Sequence, residues 1–225
     1  MIKSVPTHYA FGWIKASMAI AKKNYSLFLA CSLLMFCVIL FVSLSPCVGG
    51  IFSPLLSFIF IVATLRFLRQ FLAGSTMTFE NYMNLVTDKS ILEKGQRYLI
   101  VILAVNGAAV VLQHSSGFVL IGSLVAFAAS LVAPIAGYSA FMQYTDSDLL
   151  WQEALKKVFS GMVQNIIPSI LFSIITSIFM VASLLACVLP VVLYFMPMIF
   201  ASGYLYYCSI FEGLDIDQVL EEWSV

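Results

Sequence analysis

The fold is decided by a stretch in which a charged segment, DSDLLWQEALKKVFSGMVQN (residues 146–165), runs directly into a charge-free one, IIPSILFSIITSIFMVASLLACVLP (residues 166–190). The first segment repeats apolar residues at helical spacing and carries Glu153 and Lys157 as an i,i+4 pair on its polar side. The second is longer than the roughly 20 residues that cross a bilayer. The stretch therefore predicts a helix on a membrane surface, followed after Asn165 by a helix that spans the membrane.

Charged residues are confined to parts of the chain. No Asp, Glu, Lys or Arg occurs in residues 24–65, 98–145 or 158–211, and each block is long enough for two crossings. With 62% hydrophobic residues and a mean hydropathy of +1.02, the composition is that of a membrane protein. The sequence predicts an all-α integral membrane protein with six transmembrane helices in three hairpins and amphipathic helices at the cytoplasmic surface. Because eleven Lys and Arg balance eleven Asp and Glu, no nucleic-acid partner is expected.

These features divide one membrane domain, residues 1–225, into predicted segments. They are the N-terminal amphipathic segment 1–24, hairpin 1 at 25–65, the cytoplasmic connection 66–97, hairpin 2 at 98–145, the surface helix 146–165, hairpin 3 at 166–211 and the acidic tail 212–225. Segment 1–24 combines apolar residues with lysines, which favours a helix in the lipid headgroup zone. An undocked N-terminal extension is the alternative. The acidic tail is predicted to form one further short amphipathic helix.

Turn and cap signals refine the first half of the chain. Hairpin 1 is predicted as spans Tyr25–Ser43 and Ile51–Leu65, separated by the proline- and glycine-containing turn SPCVGG. Beyond it we expect a short helix over FENYMNLV, residues 79–86. Ser90 and Glu93 match a capping box, which predicts the start of the helix that becomes the third span.

The topology follows from the basic residues. Six spans place both termini, the 66–97 connection and the surface helix on one side, which receives all eleven Lys and Arg and is therefore cytoplasmic. Candidate lipid-headgroup contacts on that side are Lys22, Lys23, Arg66, Arg69, Lys156 and Lys157. The chain is basic before residue 98 and acidic after residue 145. One expectation is that the basic early part and the acidic late part of the chain pair with each other. The alternative is that the basic part contacts anionic lipid.

Small and polar residues inside the predicted spans are candidates for helix packing. Span 4 carries two stripes of small residues at four-residue spacing, and for this reason we expect it to be the central helix. The stripes are Gly122, Ala126, Ser130 and Ala129, Ala133, Gly137. A substrate path lined by these groups is the alternative. Asn106, near the middle of span 3, is expected to hydrogen-bond between helices, and Asn165 marks the inner boundary of span 5.

No pattern in the sequence indicates catalysis. His8 and His114 lie on opposite sides of the membrane in the predicted topology, and neither HExxH nor CxxC occurs. We therefore predict no catalytic residue, no metal site and no cofactor. Cys47 and Cys187 both approach the outer surface, where a disulfide is one alternative and two free thiols the other.

The two ends of the chain share a layout. Aligning Asn24 with Asn165 places side by side two amphipathic segments, each followed by a long span and a turn that contains Pro and Cys. A parallel internal repeat is one interpretation. The other is that any amphipathic segment followed by an apolar one looks similar.

Two motifs, EALKKVFSGMVQNIIPSILF (153–172) and TMTFENYMNL (76–85), resemble those of uncharacterised bacterial six-span inner-membrane proteins, the YciC-like and related families. The resemblance implies a location in the bacterial inner membrane and brings no catalytic residue. The expected function is a non-enzymatic membrane component that binds membrane lipids, a membrane-protein partner or a second copy of itself. A transporter or lipid-moving protein for a neutral or amphipathic substrate is the alternative, and an intramembrane enzyme is a third hypothesis.

Overall fold

The computed structural model describes residues 2–114, 121, 124–125, 129, 131–185 and 191–223, and the regular structure within these ranges is helical. The α-helices there are α1 Tyr9–Lys23, α2 Tyr25–Ser43, α3 Pro46–Leu72, α4 Phe79–Val86, α5 Lys89–His114, α6 Val132–Thr145, α7 Trp151–Gln164, α8 Ile166–Leu185, α9 Met196–Tyr207 and α10 Ile216–Trp223. Two π-helical turns, Val191–Phe195 and Cys208–Glu212, flank α9. The all-α prediction is confirmed for the described residues.

The first predicted hairpin has a tighter turn than expected. α2 has the bounds predicted for the first span, but α3 begins at Pro46 rather than Ile51 and continues beyond Leu65 to Leu72. The glycines of SPCVGG are therefore helical, and the turn shrinks to the two residues between α2 and α3. Proline suits the first position of a helix because the N–H that it lacks has no acceptor there.

The connection that follows contains the predicted short helix, α4. The predicted capping box is wrong. α5 begins directly after Asp88, whose carboxylate accepts the Ser90 backbone N–H at 2.9 Å, so Asp88 caps the helix. The Ser90 hydroxyl hydrogen-bonds to the Tyr144 hydroxyl at 2.9 Å instead of closing a capping box with Glu93.

The stretch around Asn165 folds into two helices that meet at a sharp bend. The axes of Trp151–Gln164 and Ile166–Phe179 differ by 78°, with Asn165 as the single residue between the helices. The first helix begins later than predicted because residues 146–150 form turns. The predicted division at Asn165 is confirmed.

The chain divides into two compact units. Unit 1 comprises Met1–Leu34, Leu68–Phe79 and Lys157–Val225, and unit 2 comprises Met35–Phe67 and Glu80–Lys156. Each unit combines segments that are distant in sequence, so neither corresponds to a single predicted hairpin.

Helix α1 is the centre of unit 1, where it packs against α8, α9 and α10. Trp13 is fully buried, and its indole N–H donates to the Ser209 hydroxyl at 3.0 Å. Its ring meets the rings of Phe172 and Tyr206 edge-on, with centroids 5.6 and 5.0 Å away. The alternative of an undocked N-terminal extension is therefore wrong.

The core of unit 2 is built around Tyr98 of α5. Its ring centroid lies 6.3 Å from that of Phe58 in α3 and 6.2 Å from that of Trp151 in α7. Glycines permit the close helix contacts nearby: a Cβ atom at Gly95 would lie 2.8 Å from Phe58, and one at Gly137 would lie 2.6 Å from Ile61.

Three described helical stretches are long and apolar enough to cross a membrane: Tyr25–Ser43, Gly49–Leu72 and Lys89–Leu112. The bent pair α7 and α8 adds a fourth if it is counted as one span. The described residues thus give three or four candidate crossings where the sequence predicts six. The difference arises because predicted span 6 is divided into α9 and the two π-helical turns, so that α9 alone is shorter than a crossing needs, and α6 begins only at Val132. Most of the first half of predicted span 4, including Gly122, Ala126 and Ser130, lies outside the described residues, as does Cys187.

Candidate functional site

Side chains of both charge signs share a cleft at the polar end of α5, which we call the charged cleft. Glu93, Lys94 and Arg97 of α5 form one wall, and Asp148 with Trp151 forms the other, around a volume of about 480 Å³. All four ionisable side chains are exposed, while the indole is half-buried. The cleft therefore opens to solvent with its charges accessible.

Partly buried hydrogen bonds hold the two walls together. The Tyr98 hydroxyl donates to Oε1 of Gln143 at 2.8 Å, and Nε2 of Gln143 donates to the Leu149 carbonyl at 2.8 Å. These bonds tie α5 to α6 and to the turn that precedes α7. The spacing between Arg97 and Asp148 is thus set by contacts beneath the cleft rather than by attraction across it.

Most charged side chains of the cleft form no ion pair or hydrogen bond with other described side chains. Among the described side chains, no ion pair or hydrogen bond engages Glu93, Arg97 or Asp148. The Lys94 ammonium lies 4.6 Å from the centroid of the Tyr144 ring, a cation–π contact. The cleft therefore presents ionised groups of both signs to a ligand.

The same Tyr144 ring also carries the Arg66 guanidinium, 4.5 Å from its centroid. Arg66 pairs with Asp88 at 2.6 Å. Hydrogen bonds from Ser90, together with the Arg66 guanidinium, lower the pKa of Asp88 to about 2. Because Asp88 also caps α5, this ion pair anchors the helix that forms one wall of the cleft.

In unit 1 the N-terminal segment is clamped to the bend, an arrangement that we call the terminal junction. Oδ1 of Asn165 accepts the Val5 N–H at 2.8 Å, and Nδ2 donates to the carbonyls of Lys3 and Gly161, both at 2.9 Å. The Lys3 N–H donates to the Ile210 carbonyl at 3.0 Å. Asn165 is only 1% exposed, so its amide is committed to these partners.

The termini of unit 1 are joined by polar contacts, and one of them, Arg69 with Glu212, is a pair between an early basic and a late acidic residue, as one of the two alternatives for the charge distribution expected. The contacts are Arg69–Glu212 at 3.3 Å, His8–Asp217 at 3.3 Å and, through a phenol, Tyr9–Asp215 at 2.8 Å. Burial and the Asp215 carboxylate raise the pKa of Tyr9 to about 12. Since exposed ion pairs contribute about 0–1 kcal/mol each, these contacts position the termini more than they stabilise the fold.

An apolar groove of about 380 Å³ lies elsewhere in unit 2. Met35 and Ile39 of α2, Pro54 and Ser57 of α3 and Pro134 of α6 line it. Apolar side chains dominate the lining, and the Ser57 hydroxyl adds a polar group. The groove matches a chain or ring without charge better than an ion.

The predicted packing residues are buried but do not converge on one site. Ala129, Ala133 and Gly137 are buried, and Ala133 lies at the apolar groove. Asn106 is buried too, and its Nδ2 donates to the Ile102 carbonyl at 2.9 Å. This described hydrogen bond lies within α5, whereas the sequence favoured a bond between helices.

The predicted headgroup contacts fall into two sets. Protein groups engage three of them: Arg66 and Arg69 through the ion pairs above, and Lys23 through the Trp223 ring, 3.8 Å from its ammonium. Lys22, Lys156 and Lys157 are exposed, and no described side chain pairs with them.

Sequence reasoning missed the charged cleft. Its two walls come from segments about fifty residues apart, and only the fold joins them. Arg97 at the apolar boundary and Trp151 beside acidic residues were the available signals. Within the described residues, no group of three or more His, Cys, Asp or Glu side chains is placed to hold a metal ion. No family model matches the chain, and neither the curated proteins nor the solved structures provide a match.

Proposed function

We propose that this protein is a non-enzymatic integral protein of the bacterial inner membrane, with both termini in the cytoplasm, that binds membrane lipid or a protein partner through its cytoplasmic face. The observation that carries the proposal is the 78° bend at Asn165. It joins a helix with charges to a helix without any, which is the geometry expected where a chain passes from a membrane surface into the bilayer.

The dimensions agree with this placement. If α7 lies in the membrane plane, the bend allows α8 to stand as close as about 12° to the membrane normal. The 20 residues of α8 then rise roughly 29 Å, close to the hydrocarbon thickness of about 30 Å. A single bent span would instead place Lys156 and Lys157 in hydrocarbon, at about 2.5–3.5 kcal/mol for each residue at a helix centre.

An exposed apolar face supports lipid contact at the bend and beyond it. Its large side chains are each at least half exposed: Phe159, Val163, Ile166, Ile167, Ile170, Ile174 and Ile178. The face begins on α7 and continues along α8. A contiguous apolar surface of this length is typical of contact with lipid or with another protein.

Reporter fusions test the topology. Reporters fused after residues 44, 116 and 189 are expected to lie outside the cytoplasm, and those fused after residues 76 and 146 inside it. A cytoplasmic signal after residue 116 or 189 would refute the six-span topology.

Native mass spectrometry of the gently extracted protein then tests binding: retained phospholipid supports the lipid partner, and a stoichiometric co-purified protein supports the protein partner. A chain that keeps neither would refute the proposed binding role.

A transporter or lipid-moving protein for a neutral or amphipathic substrate is the second candidate, and the apolar groove favours it. In vesicles that contain the purified protein, a fluorescent lipid should change leaflets faster than in empty vesicles. Ser57→Phe fills the groove and should slow this movement, whereas Ser75→Phe, in an exposed loop, should not. Equal rates in protein-containing and empty vesicles would refute lipid movement.

A further inference from the structure

We infer that the charged cleft and an exposed apolar stripe below it on α5 form a binding site for one phospholipid whose headgroup carries both a phosphate and an ammonium group, as phosphoethanolamine does. This inference rests on the proposed membrane function and names the ligand class. Its basis is the juxtaposition of four ionisable side chains at the polar end of α5 with exposed apolar side chains along the same helix face.

The charges of the cleft match a ligand with both signs. Lys94 and Arg97 are the two cations and Glu93 and Asp148 the two anions, so the cleft has no net formal charge. A phosphate fits the guanidinium of Arg97 and the ammonium of Lys94 through charge-assisted hydrogen bonds. The ammonium of the same headgroup fits the two carboxylates. A headgroup with only negative charge would meet as many anions as cations.

The helix face that leads away from the cleft is apolar and exposed. Glu93, Arg97, Ile100, Ala104 and Val111 are spaced by four, three, four and seven residues and so share one face of α5. Ile100 is 59% exposed and Val111 is 67% exposed, although both are apolar. Polar residues occupy the beginning of this stripe and apolar residues the rest, which is the order of a headgroup and its acyl chain.

The depths of these groups agree with a bilayer leaflet. Along α5, Glu93 lies about 6 Å beyond Arg97, close to the thickness of one polar headgroup layer. Arg97 to Val111 spans roughly 21 Å, longer than the roughly 15 Å of one hydrocarbon leaflet. Trp151 on the opposite wall is a residue type enriched at the level of the headgroups. One lipid with its headgroup at Arg97 therefore also reaches Ile100 and Ala104, which lie within about 11 Å of Arg97 along the helix.

The test is lipid binding by the full-length, delipidated protein in detergent, measured by native mass spectrometry. Phosphatidylethanolamine, phosphatidylglycerol and free phosphoethanolamine serve as probes. The double variants Lys94→Gln/Arg97→Gln and Glu93→Gln/Asp148→Asn each remove one half of the charge pattern. Lys89→Gln, on the same helix but outside the cleft, and Glu80→Gln are the matched controls. Because all the substituted side chains are exposed, the variants are expected to fold, and melting temperatures check this.

Phosphatidylethanolamine should bind the wild-type protein, and both double variants should weaken it about tenfold while the controls stay within about twofold. Phosphatidylglycerol should bind more weakly and should gain affinity in Glu93→Gln/Asp148→Asn, since that change removes its repulsion. Equal binding of the two lipids by the wild-type protein, or unchanged phosphatidylethanolamine binding in the carboxylate variant, would overturn the inference.

Free phosphoethanolamine separates a lipid from a soluble ligand. It should bind much more weakly than the lipid, because it lacks the acyl chain that the stripe on α5 contacts. Equal affinity for the free headgroup would overturn the lipid site. Should the reporter fusions establish the topology while the cleft variants leave lipid binding unchanged, this inference alone fails. Cytoplasmic signals at the outer positions would remove the proposed topology as well.

Discussion

Replacing Asn165 with alanine is the sharpest test of how the terminal junction holds unit 1 together. The change removes three hydrogen bonds, to Val5, Lys3 and Gly161, from a site that is 1% exposed. At about 0.5–1.5 kcal/mol each, their loss costs about 2–4 kcal/mol. For a chain of this size, 1 kcal/mol corresponds to about 2–4 °C, so the melting temperature should fall by about 5–12 °C.

The matched control is Asn24→Ala. Asn24 also stands alone between two helices, α1 and α2, but it is half-buried and no described hydrogen bond engages its side chain. Its replacement should change the melting temperature by about 2 °C or less, within the range of about 0.5 kcal/mol of ordinary surface changes. Both variants can be followed by thermal unfolding of the detergent-solubilised protein.

Limited trypsin digestion reports the junction itself. Trypsin cleaves after Lys3, whose carbonyl is one of the groups that Asn165 holds. Cleavage requires local opening, so losing two of the segment's hydrogen bonds should speed it roughly tenfold in Asn165→Ala and leave it unchanged in Asn24→Ala. The reasoning is refuted if Asn165→Ala melts within 1 °C of the wild type, or if its cleavage after Lys3 is no faster.

Two further predictions concern unit 2. Because the pKa of Asp88 falls to about 2 in the folded chain, its stabilising effect is present above about pH 4 and is lost between pH 4 and pH 2. The Asp88→Asn variant should therefore melt about 2–4 °C below the wild type at neutral pH, and this difference should disappear over the same acid range. Glu80→Gln, at an exposed position, is the control. Gly137→Ala places a Cβ atom 2.6 Å from a neighbouring side chain and should lower the free energy of unfolding by about 1–3 kcal/mol. Gly107→Ala meets no atom within 4 Å and should be neutral or stabilising. Equal melting temperatures of the two variants would contradict close packing at Gly137.

Short sequence patterns predicted the helices and their ends correctly where a single local interaction determines them. Apolar residues at helical spacing predicted α4 and α7, and the change from charged to apolar sequence placed the division at Asn165. They failed at the start of α5, where two caps competed. Ser90 and Glu93 satisfy the capping pattern, yet Asp88 caps the helix because its carboxylate also pairs with Arg66. That partner is 22 residues earlier in the chain, beyond the reach of a local motif.

Contacts between residues that are distant in sequence explain the parts of the fold and of the candidate site that the sequence did not predict. The hydropathy of segment 1–24 describes a surface helix, but the Trp13 side chain finds Ser209 and the aromatic rings of α8 and α9, so α1 becomes the centre of unit 1. The charged cleft arises in the same way, since Arg97 and Asp148 share no sequence pattern. The charge distribution along the chain predicted that early bases either pair with late acids or meet anionic lipid, and Arg69 pairs with Glu212 in unit 1.

The alignment of Asn24 with Asn165 illustrates the limit of a layout argument. Each asparagine is the single residue between a helix that carries charged residues and a helix that carries none, so the order of elements recurs at both places. The physics differs, because the Asn165 amide binds the N-terminal segment while no described hydrogen bond engages that of Asn24. The partners of the Asn165 amide include Lys3 and Val5, which lie before the first aligned copy. An internal repeat would therefore account for the break between helices at both places, but not for the hydrogen bonds to the N-terminal segment, which the structure describes only at Asn165.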